Sequence, residues 1–114
     1  MSKVVALAPD LFFASKIQAT LAAAGHEVVL ESAASAVVAA AENADVVVAD
    51  LHAPDLEIES FADRLRDKPL LGFYSHVETA LRREAEEAGF DLVVPRSRMA
   101  REMPELVARL TRVG

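Results

Sequence analysis

The chain has 114 residues, of which 53% are hydrophobic, so it is long enough for one domain with a packed core and too short for two. Its formal net charge of −6 argues against a nucleic-acid partner, because binding to a phosphate backbone depends on clustered lysine and arginine. The absence of cysteine excludes disulfides, thiolate metal sites and thiol catalysis.

The sequence also argues against a membrane partner. No segment approaches the roughly 20 apolar residues of a membrane span. The apolar run at 4–7 is too short for a secretory signal before Pro9 interrupts it. Together with the lack of cysteine, these observations lead us to expect a cytoplasmic protein.

In chain order, short apolar runs alternate with segments of helical periodicity. Asp10 and Ser32 stand where helix N-caps are expected, Gly25 and Gly89 stand just beyond helix ends, and Pro104 suits a first helical turn. The pattern predicts strands over 4–8, 27–30, 46–49, 70–74 and 92–94, and helices over 11–24, 32–42, 57–67, 77–88 and 104–113.

Five strands that alternate with five helices predict an α/β fold, a single doubly wound (βα)5 parallel sheet. Right-handed crossovers between parallel strands place helices on both faces of such a sheet. We expect one domain over residues 1–114, with no output domain.

Asp50 is the candidate functional residue that the pattern marks most clearly. It follows the apolar strand at 46–49, and the carboxyl ends of parallel strands open onto the crevice where α/β proteins bind ligands. A carboxylate at such a place either serves chemistry or accepts hydrogen bonds from the facing loop.

Three further residues stand in register with Asp50: Pro54 lies four positions on, Ser75 ends the fourth strand and Arg96 follows the fifth. With these residues, nearly the whole chain resembles the receiver domain of bacterial two-component response regulators. The resemblance implies strand order 2-1-3-4-5, with Asp50 as the phosphoryl-accepting aspartate, Ser75 as the switch residue and Arg96 in place of the lysine.

The chain departs from that family where the family holds Mg²⁺. Counting back from Gly25 puts Ala8 and Pro9 at the places of two adjacent acids, and Asp10 lies one residue too late. Mg²⁺ offsets the repulsion between a phosphoryl group and an aspartate. We therefore expect no metal and no cofactor, with Mg²⁺ only if Asp50 is phosphorylated after all and Asp10 and Asp50 as its candidate ligands.

Other departures point the same way. Val93 replaces the family's aromatic switch, Ser97 replaces the proline after the lysine, and the loop after Pro54 is short. If Asp50 has no metal partner, Arg96 becomes a candidate for a permanent ion pair with it. Asp10 is then expected to act as a helix N-cap.

Two histidines near the carboxyl ends of the strands, called the rim below, leave two alternatives open. His52 and His76 both follow strand ends and could approach Asp50. Such a group could bind a divalent metal ion, or could sense pH, since imidazoles titrate near neutrality. The simpler reading is that both histidines cap turns.

The resemblance, together with these departures, implies a stand-alone pseudo-receiver that acts in bacterial signal transduction by protein contact and is not an enzyme. The expected partner is a histidine kinase or an output protein in trans, or a second copy docked on the last two helices and the strand between them. Residues 98–103, rich in Arg and Met, are the predicted contact segment, although the helical pattern also places Met103 on the core face of the last helix. The alternatives are a phosphorylatable receiver in a phosphorelay and a small ligand-binding or metal-binding module that uses Asp50, His52 and His76.

Overall fold

The computed structural model describes residues 2–75 and 79–111. Within them, five parallel strands form one sheet in the order β2-β1-β3-β4-β5, which confirms the predicted α/β class and strand order. The strands are β1 Lys3–Leu7, β2 Glu27–Glu31, β3 Val46–Asp50, β4 Leu70–Tyr74 and β5 Leu92–Pro95. The helices are α1 Leu11–Ala23, α2 Ala34–Ala40, α3 Ile58–Arg64, α4 Thr79–Ala88 and α5 Arg96–Thr111, with a 3-10 turn at Ala41–Asn43.

The central strands are apolar on both faces because each face is covered by helices. All five residues of β3 and all five of β4 are buried. Side chains alternate between two cores: Val47 and Ala49 lie in one with α2, α3 and α4, whereas Val46 and Val48 lie in the other with α1 and α5. The continuous apolar run that ends at Asp50 is therefore the middle of the sheet.

Two aspartates hold the amino ends of the strands together, at the edge opposite Asp50. Asp45 accepts a hydrogen bond from the backbone N–H of Lys3 at 2.8 Å. Asp91 accepts one from the backbone N–H of Leu70, also at 2.8 Å. Each aspartate precedes one strand and bonds the first residue of its neighbour, so both help to fix the parallel register.

Two helices begin elsewhere than predicted. Ser32 does not cap α2: the N-cap is Ala33, which offers no side-chain bond, and Asp55 instead accepts from the N–H of Ala34 at 2.9 Å. The last helix has an additional segment that begins at Arg96, and a kink with non-helical backbone at Glu102 separates this segment from the predicted one. Pro104 still occupies the first turn after this kink, as its lack of an N–H allows.

The predicted start of the fourth helix, 77–78, lies outside the described residues, and α4 is described from Thr79. No helix in the described part of the chain combines the length and apolarity needed to cross a bilayer.

Candidate functional site

The carboxyl ends of β1, β3, β4 and β5 bring most of the predicted site residues to one edge of the sheet. Asp10 follows β1, Asp50 ends β3, Ser75 follows β4 and Arg96 follows β5. Pro54 is exposed in the loop after β3, and His76 lies outside the described residues. The polar side chains at this edge form two separate hydrogen-bonded groups.

The first group joins Asp10 to Arg96 across the starts of α1 and α5. One Asp10 oxygen, Oδ1, accepts from the backbone N–H groups of Phe12 at 3.0 Å and Phe13 at 3.3 Å, so Asp10 is the N-cap that the sequence predicted. The other, Oδ2, accepts from Nη2 of Arg96 at 2.8 Å. The Arg96 guanidinium also lies over the Phe13 ring, 4.2 Å from its centroid.

These contacts change the acidity of Asp10. The hydrogen bond from Arg96 lowers the pKa of the Asp10 carboxyl below its ordinary value, and the backbone N–H groups of Phe13 and Phe12 lower it further. Burial opposes them more weakly than the Arg96 bond acts. Asp10 is therefore held in its charged form by its partners.

The predicted ion pair between Arg96 and Asp50 is wrong, since Arg96 is paired with Asp10 instead. The physical reason is local. Asp10 caps α1 with one oxygen and turns the other toward the start of α5, and the Phe13 ring beside it accepts the flat guanidinium. In the described residues, no lysine or arginine forms an ion pair with Asp50.

Asp50 belongs to the second group, where it closes its own turn. Its Oδ1 accepts from the backbone N–H of His52 at 2.9 Å, and its carbonyl accepts from the N–H of Ala53 at 3.1 Å. Its side chain is buried, and the residue is 7% exposed. This is the loop-bonding role that the sequence left open for the acid.

His52 extends this group to the next strand. The backbone N–H of Ser75 donates to Nε2 of the His52 ring at 3.0 Å. Sequence reasoning placed both residues on the rim but did not predict their bond. The available signal was the strand register: Asp50 lies beside Phe73, so a parallel continuation sets His52 beside Ser75.

The predicted contact segment 98–103 is wrong in part. Met99 and Met103 are fully buried in the core against α1 and the sheet, so they are not available to a partner. The exposed large apolar side chains of the described residues are instead Leu11, 78% exposed, and Phe12, 91% exposed, at the start of α1. Both lie off the buried face of α1, which consists of Phe13, Ala14, Ile17 and Leu21.

A groove lies beside this part of α1. Phe13, Tyr74, Pro95 and Ala100 give it apolar walls, and Ser75, Arg96 and Ser97 complete its lining. Val93, at the place of the family's aromatic switch, is buried beside Gly72 in the sheet and does not line the groove. Within the described residues, no group of three or more His, Asp or Glu side chains is arranged to hold a metal ion.

Comparison with solved structures shows that this architecture is that of response regulator receiver domains. A receiver domain protein from Clostridium thermocellum superposes with a TM-score of 0.86 at 14% sequence identity, covering 97% of this chain and 94% of that one. The receiver domain of Francisella response regulator 1452 gives 0.84 at 20% identity, covering 98% of each chain. The chemotaxis response regulator CheY4 of Vibrio cholerae gives 0.82 at 19% identity, covering 96% and 98%.

At the level of sequence, no protein-family model and no curated protein matches the chain. Identities of 14 to 20% over almost the full length carry information about the fold alone. The chain therefore has the receiver fold, with the predicted order of strands.

Proposed function

We propose that this protein is a pseudo-receiver, which uses the receiver fold for protein contact in cytoplasmic signal transduction without Mg²⁺-dependent phosphorylation of Asp50. The observation that carries the proposal is the ion pair between Asp10 and Arg96. In this pair, the carboxylate at the start of α1 and the guanidinium at the start of α5 neutralise each other.

Phosphoryl transfer to an aspartate needs cations that offset the charges of the incoming group. The residues of this chain do not fit that requirement. Ala8, which is buried just after β1, and Pro9 have no carboxylate, while Asp10 already accepts from two backbone N–H groups and from Arg96. A Mg²⁺ ion would have to compete with the α1 cap and with a guanidinium for the same two oxygens.

Arg96 is likewise already bound to other groups. To reach a group on Asp50 it would leave both the Asp10 carboxylate at 2.8 Å and the face of the Phe13 ring. The pair instead ties the start of α1 to the start of α5, across 86 positions of the chain. We infer that it holds this edge of the domain in one arrangement.

The start of α1 also offers a surface for a partner. Leu11 and Phe12 are exposed side by side immediately after the Asp10 cap, and the apolar groove lined by Phe13, Pro95 and Ala100 lies next to α1. Single exposed apolar residues are normal, but two adjacent large ones at a capped helix end favour an interaction site. The expected partner is a histidine kinase or an output protein in trans.

The test is an amide NMR titration of the labelled protein, first with Mg²⁺ and then with Mg²⁺ and beryllofluoride as a phosphoryl mimic. The pseudo-receiver should show an unchanged spectrum around Asp50 and Ser75 in both steps. Shifts at those residues that are lost in Asp50→Ala would show a working phosphorylatable receiver and would overturn the proposal.

A gain-of-function variant sharpens this test. Pro9→Asp places a carboxylate at the position where the family has one, on a half-buried residue before α1. If the wild type does not respond to Mg²⁺ because it lacks this acid, the variant should gain Mg²⁺-induced NMR shifts near Asp50. Ser15→Asp, which adds the same charge at an exposed position inside α1, is the matched control.

The homodimer through α4, β5 and α5 belongs to the same proposal and has its own test. Light scattering coupled to size-exclusion chromatography, over a range of protein concentrations, should show a fraction of dimer that increases with concentration. A strict monomer at the highest concentration would remove the dimer and leave the proposal with a partner in trans.

A further inference from the structure

The turn that carries Asp50 is bonded to β4 through its backbone and through one side chain. The N–H of Leu51 donates to the carbonyl of Phe73 at 2.9 Å, as the parallel ladder requires. The N–H of Ser75 donates to Nε2 of His52 at 3.0 Å. The backbone N–H of His52 in turn donates to Oδ1 of Asp50 at 2.9 Å, so one residue contacts both the acid and the end of β4.

The register explains why a side chain makes the second bond. Asp50 and Phe73 are the last paired residues of β3 and β4, and beyond them the chain after β3 bends into the turn closed by Ala53 N–H and Asp50 C=O. A strand that bends away can no longer offer carbonyls to its neighbour. The imidazole of His52 supplies the acceptor that the Ser75 N–H would otherwise lack.

This bond also determines which nitrogen of the His52 ring carries a proton. A backbone N–H can only donate, so Nε2 must be the nitrogen without a proton, and the neutral ring carries its proton on Nδ1. The bond is thus specific for one nitrogen of one tautomer. Glutamine offers an amide oxygen at a similar reach, whereas alanine offers no acceptor.

We propose that His52 is an internal clasp, which closes the loop after β3 onto the end of β4 and keeps the Asp50 carboxylate covered. The inference rests on the proposed function, since covering Asp50 is useful only where the acid is not meant to react. Asp50 is 7% exposed although it ends its strand, while His52 and Pro54 just beyond it are exposed. The acid is bonded to the backbone of His52, and the ring of the same residue is bonded to the end of β4.

The clasp makes two arrangements of the rim available. In the closed one, His52 contacts Ser75 and the turn lies over Asp50. In the open one, the Ser75 N–H is exposed to water, and the turn keeps its backbone bond from Leu51 to Phe73 and its buried side chains, Leu51 and Ala53. A partner that engages the end of β4 and breaks the bond from Ser75 to His52 would act on the turn that carries Asp50.

The experiment compares His52→Ala and His52→Gln with the wild type. Two readouts are used: amide hydrogen exchange at Ser75, and the rate at which a carbodiimide with an amine labels the Asp50 carboxyl, followed by mass spectrometry. His52→Ala should speed exchange at Ser75 by about tenfold, the effect of one lost hydrogen bond, and should speed Asp50 labelling by a similar factor. His52→Gln should restore values close to those of the wild type.

Matched controls lie in the same molecule. Pro54→Ala changes an exposed residue of the same loop and should leave both readouts unchanged. Exchange at Leu51 and labelling of the exposed Asp63 should stay constant in every variant. A Ser75 amide that exchanges at the unprotected rate in the wild type, or Asp50 labelling that is equally slow in His52→Ala, would overturn the clasp.

Neither readout needs Mg²⁺ or a phosphoryl group, so the two proposals can fail separately. A wild-type response to Mg²⁺ and beryllofluoride would overturn the pseudo-receiver while the labelling result still decides the clasp. If His52→Ala does not fold, the wild-type exchange rate at Ser75 and the His52→Gln variant remain decisive. A folded His52→Gln protein with an unprotected Ser75 amide and a rapidly labelled Asp50 would contradict the role of His52 as a hydrogen-bond acceptor and would overturn the clasp.

Discussion

Asp10 and Arg96 are 86 positions apart in the chain, yet the carboxylate of one lies 2.8 Å from the guanidinium of the other. The contact joins the starts of α1 and α5, the two helices that cover one face of the sheet. Because Asp10 also caps α1, a change at this residue affects a helix end and a tertiary contact together. Substitutions that separate these two roles are therefore informative.

The first prediction concerns pH. Asp10→Asn keeps an N-cap side chain but removes the charge that Arg96 pairs with. The folded-state pKa of Asp10 lies below its ordinary value of 3.8, chiefly through the Arg96 hydrogen bond, so the ionised carboxylate stabilises the fold above that value. This stabilisation is lost as the pH falls through the lowered folded-state pKa. The variant should be less stable than the wild type at neutral pH, and the difference should narrow in acid.

Urea unfolding of both proteins at neutral pH and at about pH 3 measures this effect. The side chains of Arg96 and Asp10 are 34% and 38% exposed, so added salt should also narrow the difference at neutral pH. Asp63→Asn is the control, because the Asp63 and Arg66 side chains are 71% and 79% exposed. If the difference in unfolding free energy between the wild type and Asp10→Asn became larger in acid, the lowered pKa assigned to Asp10 would be contradicted.

The second prediction concerns the aromatic partner of Arg96. The Phe13 ring lies under the guanidinium at 4.2 Å and beside the Phe73 ring, with centroids 4.9 Å apart. A double-mutant cycle of Phe13→Leu and Arg96→Met separates the first contact from the second. We expect a coupling free energy of about 0.5 to 1 kcal/mol, typical of a partly exposed cation over an aromatic ring. Strictly additive effects on unfolding would show that the ring only fills space.

The third prediction concerns the N-terminus of α2. This helix has no capping side chain of its own, and Asp55 from the loop after β3 accepts from Ala34 N–H at 2.9 Å. Asp55→Ala should lower the free energy of unfolding by about 0.5 to 2 kcal/mol, the usual effect of a lost N-cap. Amide exchange in the first turn of α2 should speed up while exchange in α1 stays constant. Equal changes in both helices would instead indicate a global loss of stability.

Local patterns in the sequence were enough to predict the order of the elements and several of their ends. The unbroken apolar run at 46–49 predicted a central strand because burial on both faces removes the alternation of an exposed sheet. Asp10 was recognised as an N-cap because that role depends only on the residues that follow it. The start of α5 was missed because residues 96–102 are mostly polar and carry a single buried side chain, Met99.

The candidate site was predicted as a set of residues but not as a set of contacts. The ends of parallel strands place Asp50, Ser75 and Arg96 on one edge whatever their side chains do. Which acid Arg96 meets depends on where the Asp10 cap points its second oxygen and on the Phe13 ring, and both are tertiary details. The bond from Ser75 to His52 likewise depends on the point at which β3 ends and the chain bends.

The fourth prediction concerns Met103, which lies in the predicted contact segment, although the helical pattern placed it on the core face, and which the structure buries completely. Met103 follows the kink at Glu102 and lies in the same core as Met99, Leu106 and Val107. Met103→Ala should therefore destabilise the fold by about 2 to 5 kcal/mol, because it removes apolar contacts and leaves a cavity. Arg101→Ala, two residues earlier and exposed, should change the unfolding free energy by less than about 0.5 kcal/mol. Chemical denaturation of both variants separates the two roles, since a contact residue on the surface would leave the stability of the isolated domain unchanged when truncated.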